Sequence, residues 1–230
     1  MTHTPWFPQN RPPQHPDRVQ LYAFNTPNGQ KVSNMLEELG TPYEYHRIDI
    51  TKDEQHDPDY LKLSPNGKIP TLSDPHGPNG QILVMESAAI LLYLADKNGK
   101  FLTDDPEARL AAVEWLFFQM GHVGPMLGQF GHFFKFARDK TSDEYALNRY
   151  SNETRRLLGV LDKRLAEGEW IMGADYTIVD MATYPWVDCL ETFYKAADHL
   201  QLGEFQAVNR WRNAMKARPA VARGMTVLAG

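Results

Sequence analysis

The apolar positions change period early in the chain, and that change organises the rest. Val19, Leu21 and Ala23 alternate with polar or amphipathic neighbours, which predicts a strand over 19–24. After Gln30 the period lengthens. Val32, Met35, Leu36 and Leu39 fall at i, i+3, i+4 and i+7, one face of a helix over 27–39. Thr26-Pro27 marks the junction, with Thr as N-cap and Pro at the first helical position, and Gly40 stands where the helix stops. Such a start is expected to leave the N–H groups of Asn28 and Gly29 open to an anion at the positive end of the helix dipole, with no side chain on Gly29 to block it. Taken alone, the stretch is a well-capped first helix; the rest of the chain gives it chemistry.

Tyr43 to Ile50 reads as a second strand. Strand, helix, strand with short links implies a parallel pair and a right-handed crossover. A short helix follows over 57–63, then a turn at Ser64-Pro65-Asn66-Gly67. Ile69–Leu72 and Ile82–Met85 are expected as short strands separated by a longer loop, Asp74 to Gly80. Glu86-Ser87 then opens a helix over 88–97, with Ile90, Leu91 and Leu94 as its stripe and Asn98-Gly99 as its stop. The order β-α-β-α-β-β-α predicts a thioredoxin-like unit over 19–100.

Beyond a linker at 101–105 every pattern is helical. Asp105-Pro106 starts a helix over 106–120. Gly121, Gly124, Pro125, Gly128 and Gly131 then interrupt, and Pro125 is expected to kink or break the helix. Ser142 is read as the cap of a helix reaching Glu167, Thr177-Ile-Val-Asp180 as a capping box, Pro185 as a kink, and 205–217 as the last clear helix, ended by Pro219. The fold class is therefore α/β followed by all-α, with a helical domain over 106–230. Residues 1–18, rich in Pro, Gln, His and Arg, form either an extended arm lying on the protein or a disordered tail.

Composition narrows the function. At 230 residues and 42% hydrophobic the chain can bury an ordinary core, and a net charge of −5 leaves no basic footprint for nucleic acid. No segment has the ~18 consecutive apolar residues of a membrane span. The proline-rich N-terminus has no apolar core of a secretory signal. The single cysteine, Cys189, excludes an internal disulfide, a CxxC pair and a cysteine-rich zinc site, and fits a reducing cytoplasm. His122 and His132 lack metal-ligand spacing; they read equally as lining a pocket with Phe130, Phe133 and Phe134 or as packing at the glycine-rich bend. No metal is expected.

Four features together resemble the glutathione transferases over nearly all of 19–225: Ser64-Pro-Asn-Gly-Lys-Ile-Pro70, Glu86-Ser-Ala-Ala-Ile-Leu-Leu-Tyr-Leu94, the helical second half, and Tyr176-Thr-Ile-Val-Asp180 within it. Thr26-Pro-Asn-Gly-Gln-Lys31, Trp115-Leu-Phe-Phe118, Gly124-Pro-Met-Leu-Gly128 and Tyr145-Ala-Leu-Asn-Arg-Tyr150 resemble the bacterial nu class and the fungal transferases similar to a nitrogen-repression regulator.

The resemblance implies glutathione, reduced or as its disulfide, as co-substrate. In the family pattern Pro70 is cis and the Ile69 main chain pairs with the cysteinyl amides like an added strand. Glu86 takes the ammonium, and Ser87 with its helix start takes the γ-glutamyl carboxylate. Gln55 reaches the peptide, Lys68 the glycyl carboxylate, and Arg149 the thiol side. Thr26 and Asn28 are then the catalytic donors that stabilise the thiolate. Tyr22, inside the strand, is read as packing and Asp180 as a structural cap. Each assignment has a plainer alternative: a trans strand-start proline, a helix cap at Glu86-Ser87, and solvated surface for Gln55, Lys68 and Arg149.

The family precedent implies a cytoplasmic homodimer that reduces small disulfides and conjugates electrophiles, without nucleic-acid or membrane partners. A bound thiolate attacks the disulfide and a second glutathione resolves the product. The acceptor site is expected between the domains. The alternatives are a non-catalytic transferase-like regulatory or interaction protein and a peroxide-reducing variant of the same site.

Overall fold

The computed structural model describes residues 6–229. It divides into two compact units. Unit 1 runs to Asn98 and takes in Pro219 onward; unit 2 is Gly99–Arg218. The chain's last residues thus belong to the α/β unit, not to the helical region in which the sequence counted them.

Unit 1 is built on a four-stranded sheet. Its strands are β1 (Val19–Ala23), β2 (Tyr43–Arg47), β3 (Thr71–Gly77) and β4 (Gly80–Met85), in spatial order β2-β1-β3-β4. β1 and β2 are parallel, joined through α1 (Pro27–Leu39); β3 and β4 are antiparallel to their neighbours. β1 is buried along its whole length, which explains why its apolar alternation is weak. Its polar Gln20 is satisfied internally, donating to His15 O (2.9 Å) and Arg18 O (2.8 Å) and pairing with His46 Nε2 at 2.7 Å. Gly40 ends α1 in the left-handed conformation (φ 64°).

Three expectations change here. β2 stops at Arg47, and the chain to His56 instead forms two 3-10 turns, Ile50–Lys52 and Glu54–His56, the first capped by Asp49. The loop expected from Asp74 to Gly80 is mostly strand: β3 runs to Gly77 with an irregular register between Asp74 and Gly77. Pro219 ends one helix and opens another, α10 (Pro219–Gly224), which packs on α1. The unit is completed by α2 (Pro58–Leu63), capped by Asp57, and α3 (Ser87–Asn98).

Residues 6–18 lie along unit 1; residues 1–5, with Pro5 of the arm, lie outside the described residues. The main-chain N–H groups of Gln14 and His15 donate to the Glu44 carboxylate at 2.9 and 2.8 Å, and Arg11 pairs with Glu54 at 2.7 Å. Trp6 packs on the cluster of Tyr22, Ile48, Tyr60 and Leu63.

Unit 2 holds α4 (Pro106–Phe118), α5 (Gly124–Gly131), α6 (Glu144–Ala166), α7 (Ile178–Thr192), the short α8 (Ala197–Leu200) and α9 (Gln206–Ala217). The cap of α6 is Asp143, one residue past the expected Ser142. The glycine-rich stretch does not break the helix. Single π-helical turns, Gln119–Val123 and His132–Phe136, carry the chain through on either side of α5. The glycines serve close packing instead: a Cβ at Gly124 would meet Trp186 Nε1 at 3.3 Å, and one at Gly128 the Trp186 ring at 3.2 Å. α7 is almost wholly buried and its capping box is formed. The Asp180 carboxylate also accepts from Ile171 N (3.0 Å) and Trp211 Nε1 (2.9 Å), a structural role.

Candidate functional site

Strand register brings most of the singled-out residues to one edge of unit 1. Ala23 pairs with Arg47, Tyr22 with Thr71, and Thr71 with Met85. The C-terminal ends of β1, β2 and β4 and the N-terminal end of β3 therefore lie side by side. From these four ends come Thr26 and Asn28, Gln55, Lys68-Ile69-Pro70, and Glu86-Ser87.

At the end of β1, Thr26 is the N-cap of α1: its Oγ1 accepts from Gly29 N–H at 3.3 Å, and its hydroxyl stands 3.5 Å from Phe24 O, too long for a strong bond. The Gly29 N–H is thus taken by the cap, a correction to the expectation that it faces an anion. Gly29 is itself buried, and a Cβ there would collide with the Phe24 carbonyl oxygen and approach Leu228. The glycine is required by packing within the unit, not by ligand access. Asn28 is half-buried in the same first turn.

Past β2, Gln55 is buried in the second 3-10 turn, with Nε2 3.3 Å from Asp53 Oδ1. Its Oε1 is buried without a hydrogen-bond partner among the described residues. A buried amide oxygen left so costs about 1–3 kcal/mol, and a peptide N–H would satisfy it.

Before β3, the Ile69–Pro70 peptide is cis. The turn ahead of it is fixed by Tyr60 Oη and Ser64 Oγ, each donating to Lys68 O at 2.8 Å. Ile69 lies outside the sheet ladder, and its main-chain groups make no main-chain hydrogen bond among the described residues. The Lys68 side chain is exposed.

At the end of β4, Glu86 is exposed and left-handed (φ 69°), a conformation that costs a non-glycine residue about 1–3 kcal/mol. Its carbonyl accepts the first bond of α3, from Ile90 N at 2.9 Å. Ser87, first residue of α3, is buried, and its Oγ accepts from Lys31 Nζ at 3.2 Å. Lys31 escaped the sequence reading. It is 1% exposed, and burial pushes its pKa down to about 7 against the opposing pull of Glu86. Its signal was present: it stands four residues before Met35, on the apolar face of α1.

Arg149 belongs to unit 2. It is exposed on α6 in unit 2, on the wall of a cleft of about 570 Å³ with Met126, Tyr145, Tyr150, Glu153 and Arg156. His122 and His132 are exposed, against Phe118 and Phe133, and line no part of that cleft. Tyr22 is fully buried and stacked on His46 at 4.5 Å, as packing requires. Cys189 is buried and its thiol pushed up to about 12 by burial, far from thiolate chemistry. Among the described residues no group of His, Cys, Asp and Glu is placed to hold a metal, and no helix is long and apolar enough to cross a membrane.

The arrangement can bind an extended peptide along Ile69, hold a zwitterion at Glu86-Ser87 and place neutral donors where β1 meets α1. Residues 26–97 match the glutathione S-transferase N-terminal domain, and residues 123–219 the C-terminal domain. The disulfide-bond oxidoreductase YghU of Escherichia coli is 44% identical over 93% of this chain and 75% of its own length. YfcG of the same organism, also a disulfide-bond oxidoreductase, is 41% identical over 90% of this chain and 94% of its own. A glutathione transferase family member from Pseudomonas fluorescens, solved with two glutathione bound, superposes with a TM-score of 0.92 at 50% identity, covering 94% of this chain and 96% of that one. A glutathione transferase from Pseudomonas putida, solved with one glutathione disulfide per subunit, gives 0.91 at 45% identity, with 94% of each chain covered. The chain belongs to the glutathione transferase family.

Proposed function

We propose that the protein is a glutathione-dependent disulfide reductase that also conjugates electrophiles. The observation that carries this is the convergence of four strand ends on one edge of unit 1, presenting two helix starts, an orphaned buried amide oxygen at Gln55 and a serine seated on a buried lysine. These residues fit the tripeptide. Glu86 faces the ammonium, Ser87 and the α3 start the γ-glutamyl carboxylate, the Ile69 main chain and Gln55 the amides, and Lys68 the glycyl carboxylate. Glutathione supplies the thiol, because the chain's one cysteine is buried and protonated. Thr26 and Asn28 donate to the sulfur and lower the cost of its anionic form; neither is a base. Arg149 is assigned to the thiol side of the ligand. The names of YghU and YfcG, together with glutathione and its disulfide in the two Pseudomonas structures, support this substrate pair.

The same reading makes the protein a cytoplasmic homodimer. Leu83 and Met85 on β4 and Leu110 and Phe117 on α4 are exposed apolar side chains that a second subunit would cover. The test is glutathione-dependent reduction of a small disulfide, such as 2-hydroxyethyl disulfide, run beside conjugation of 1-chloro-2,4-dinitrobenzene. Fast reduction with slow conjugation is expected. Conjugation alone would make the protein a detoxifying transferase, and neither activity with glutathione still bound would make it a binding module.

A further inference from the structure

Three consecutive residues of the N-terminal arm hold the stretch that carries Gln55. Gln9 N donates to the Asp59 carboxylate at 3.2 Å, Asn10 Nδ2 to the Asp57 carboxylate at 3.2 Å, and Arg11 Nη2 to the Glu54 carboxylate at 2.7 Å. The first two contacts are exposed. The third is not: the Arg11 side chain is 18% exposed, and its charge reaches the hydroxyls of Tyr22 and Tyr60, whose pKa burial raises and the guanidinium lowers.

Arg11 also joins two places. Its Nε donates to Arg47 O, at the end of β2, at 3.3 Å, while Nη2 holds Glu54 in the second 3-10 turn. Glu54 Oε2 in turn accepts from Asp49 N at 2.8 Å. A planar, permanently charged fork can meet both acceptors in one fixed geometry. The stretch needs such a brace. It consists of two three-residue turns joined by Asp53 in the left-handed conformation (φ 58°), and Thr51, Lys52 and Asp53 are exposed. Short 3-10 turns have poor hydrogen-bond geometry of their own. Gln55, next to Glu54, is nevertheless buried with its Oε1 unpaired among the described residues. Where that amide stands is set by the main chain of this turn.

Resting on the proposed glutathione site, we infer that Arg11 is a positioning residue for it. By tying Glu54 to the end of β2, Arg11 holds the turn that presents Gln55 to the peptide of the ligand. It acts through Gln55 and takes no part at the sulfur. Its effect therefore falls on glutathione affinity, whereas Thr26 and Asn28, from another strand end, keep the thiolate step.

The experiment is a double-mutant cycle on the full chain with Arg11→Met and Gln55→Ala. Calorimetry gives the Kd of glutathione, and disulfide reduction gives KM and kcat. Gln55→Ala should weaken glutathione about 10-fold, the range of one buried hydrogen bond. Arg11→Met should weaken it about fivefold when Gln55 is present and less than about twofold once Gln55 is Ala. The loss should appear as a higher KM, with kcat at saturating glutathione within about twofold of wild type. Arg11→Lys, which keeps the charge but not the fork, should fall between Arg11→Met and wild type.

Equal losses from Arg11→Met in both backgrounds, or no loss in either, would make the contact merely structural and overturn the inference. A fall in kcat with KM unmoved would do the same. Wild-type affinity in Gln55→Ala removes the contact through which Arg11 acts and sinks the inference alone, since glutathione still binds. If wild type binds no glutathione, the proposed function fails and takes this inference with it. Should Arg11→Met not fold, Glu54→Gln, which keeps the shape and loses the charge, takes its place in the cycle; the same coupling to Gln55 is expected, and additivity there overturns the assignment.

Discussion

The two helix starts on the site edge of unit 1 are finished in opposite ways. α1 is closed by its own cap: Thr26 Oγ1 takes the Gly29 N–H, Gly29 is buried under the Phe24 carbonyl, and no acidic residue occupies the first turn. α3 opens instead on a left-handed Glu86 and on Ser87 seated against the buried Lys31 cation. One start offers neutral donors beside the end of a strand. The other offers both signs of charge within two residues and one hydrogen bond. Neutral donors suit an atom whose charge appears only when it ionises, such as a thiol. Paired charges suit a group that is always a zwitterion, such as the amino-acid end of glutathione.

The sharpest way to break that division is to remove the neutral donor. Asn28→Ala should lower kcat for disulfide reduction about 100-fold while KM for glutathione moves less than about threefold. Equal losses in both would make Asn28 a binding residue and erase the contrast. Ser87→Ala should show the reverse split, with KM up about 10-fold and kcat nearly kept.

Gly29→Ala sharpens the structural side. The added Cβ meets the Phe24 carbonyl oxygen and stands 3.1 Å from Leu228 Cδ1. Overpacking of that kind costs about 1–3 kcal/mol, readable as a lower denaturation midpoint. An unchanged midpoint with lost glutathione binding would return the glycine to ligand access. The smallest effect is expected in unit 2, at Cys189→Ala. Its thiol is held protonated by burial, so steady-state disulfide reduction should stay within about twofold of wild type. An inactive but folded variant would overturn the bound-thiol mechanism.

Three caps were legible in the sequence because a cap is a local object, whereas that of α6 falls on Asp143 and not on Ser142. Thr26-Pro27, Asp105-Pro106 and Thr177 with Asp180 act across three residues, and all three are formed as their spacing implies. Elements whose limits depend on distant partners are not legible in this way. β3 extends to Gly77 because β4 pairs with it across an irregular register, which Pro75 and Gly77 disguise as loop. Glycines 124 and 128 read as breakers, yet they let the helical path run close to Trp186, more than fifty residues away in sequence.

By itself, then, the sequence determined the kinds of element, their order and most of the caps, because propensity and period are carried by neighbours along the chain. Only the tertiary structure decided the rest. Register brought Thr26, Gln55, Ile69 and Glu86 to one edge. Folding carried Lys31 beneath Ser87, 56 positions away. It also returned the tail to unit 1, where Ser33 Oγ donates to Gly224 O at 2.6 Å across 191 positions. Burial of a charge and the pairing of distant strands are properties of a packed interior, and no local pattern encodes which side of a helix that interior will cover with a polar partner.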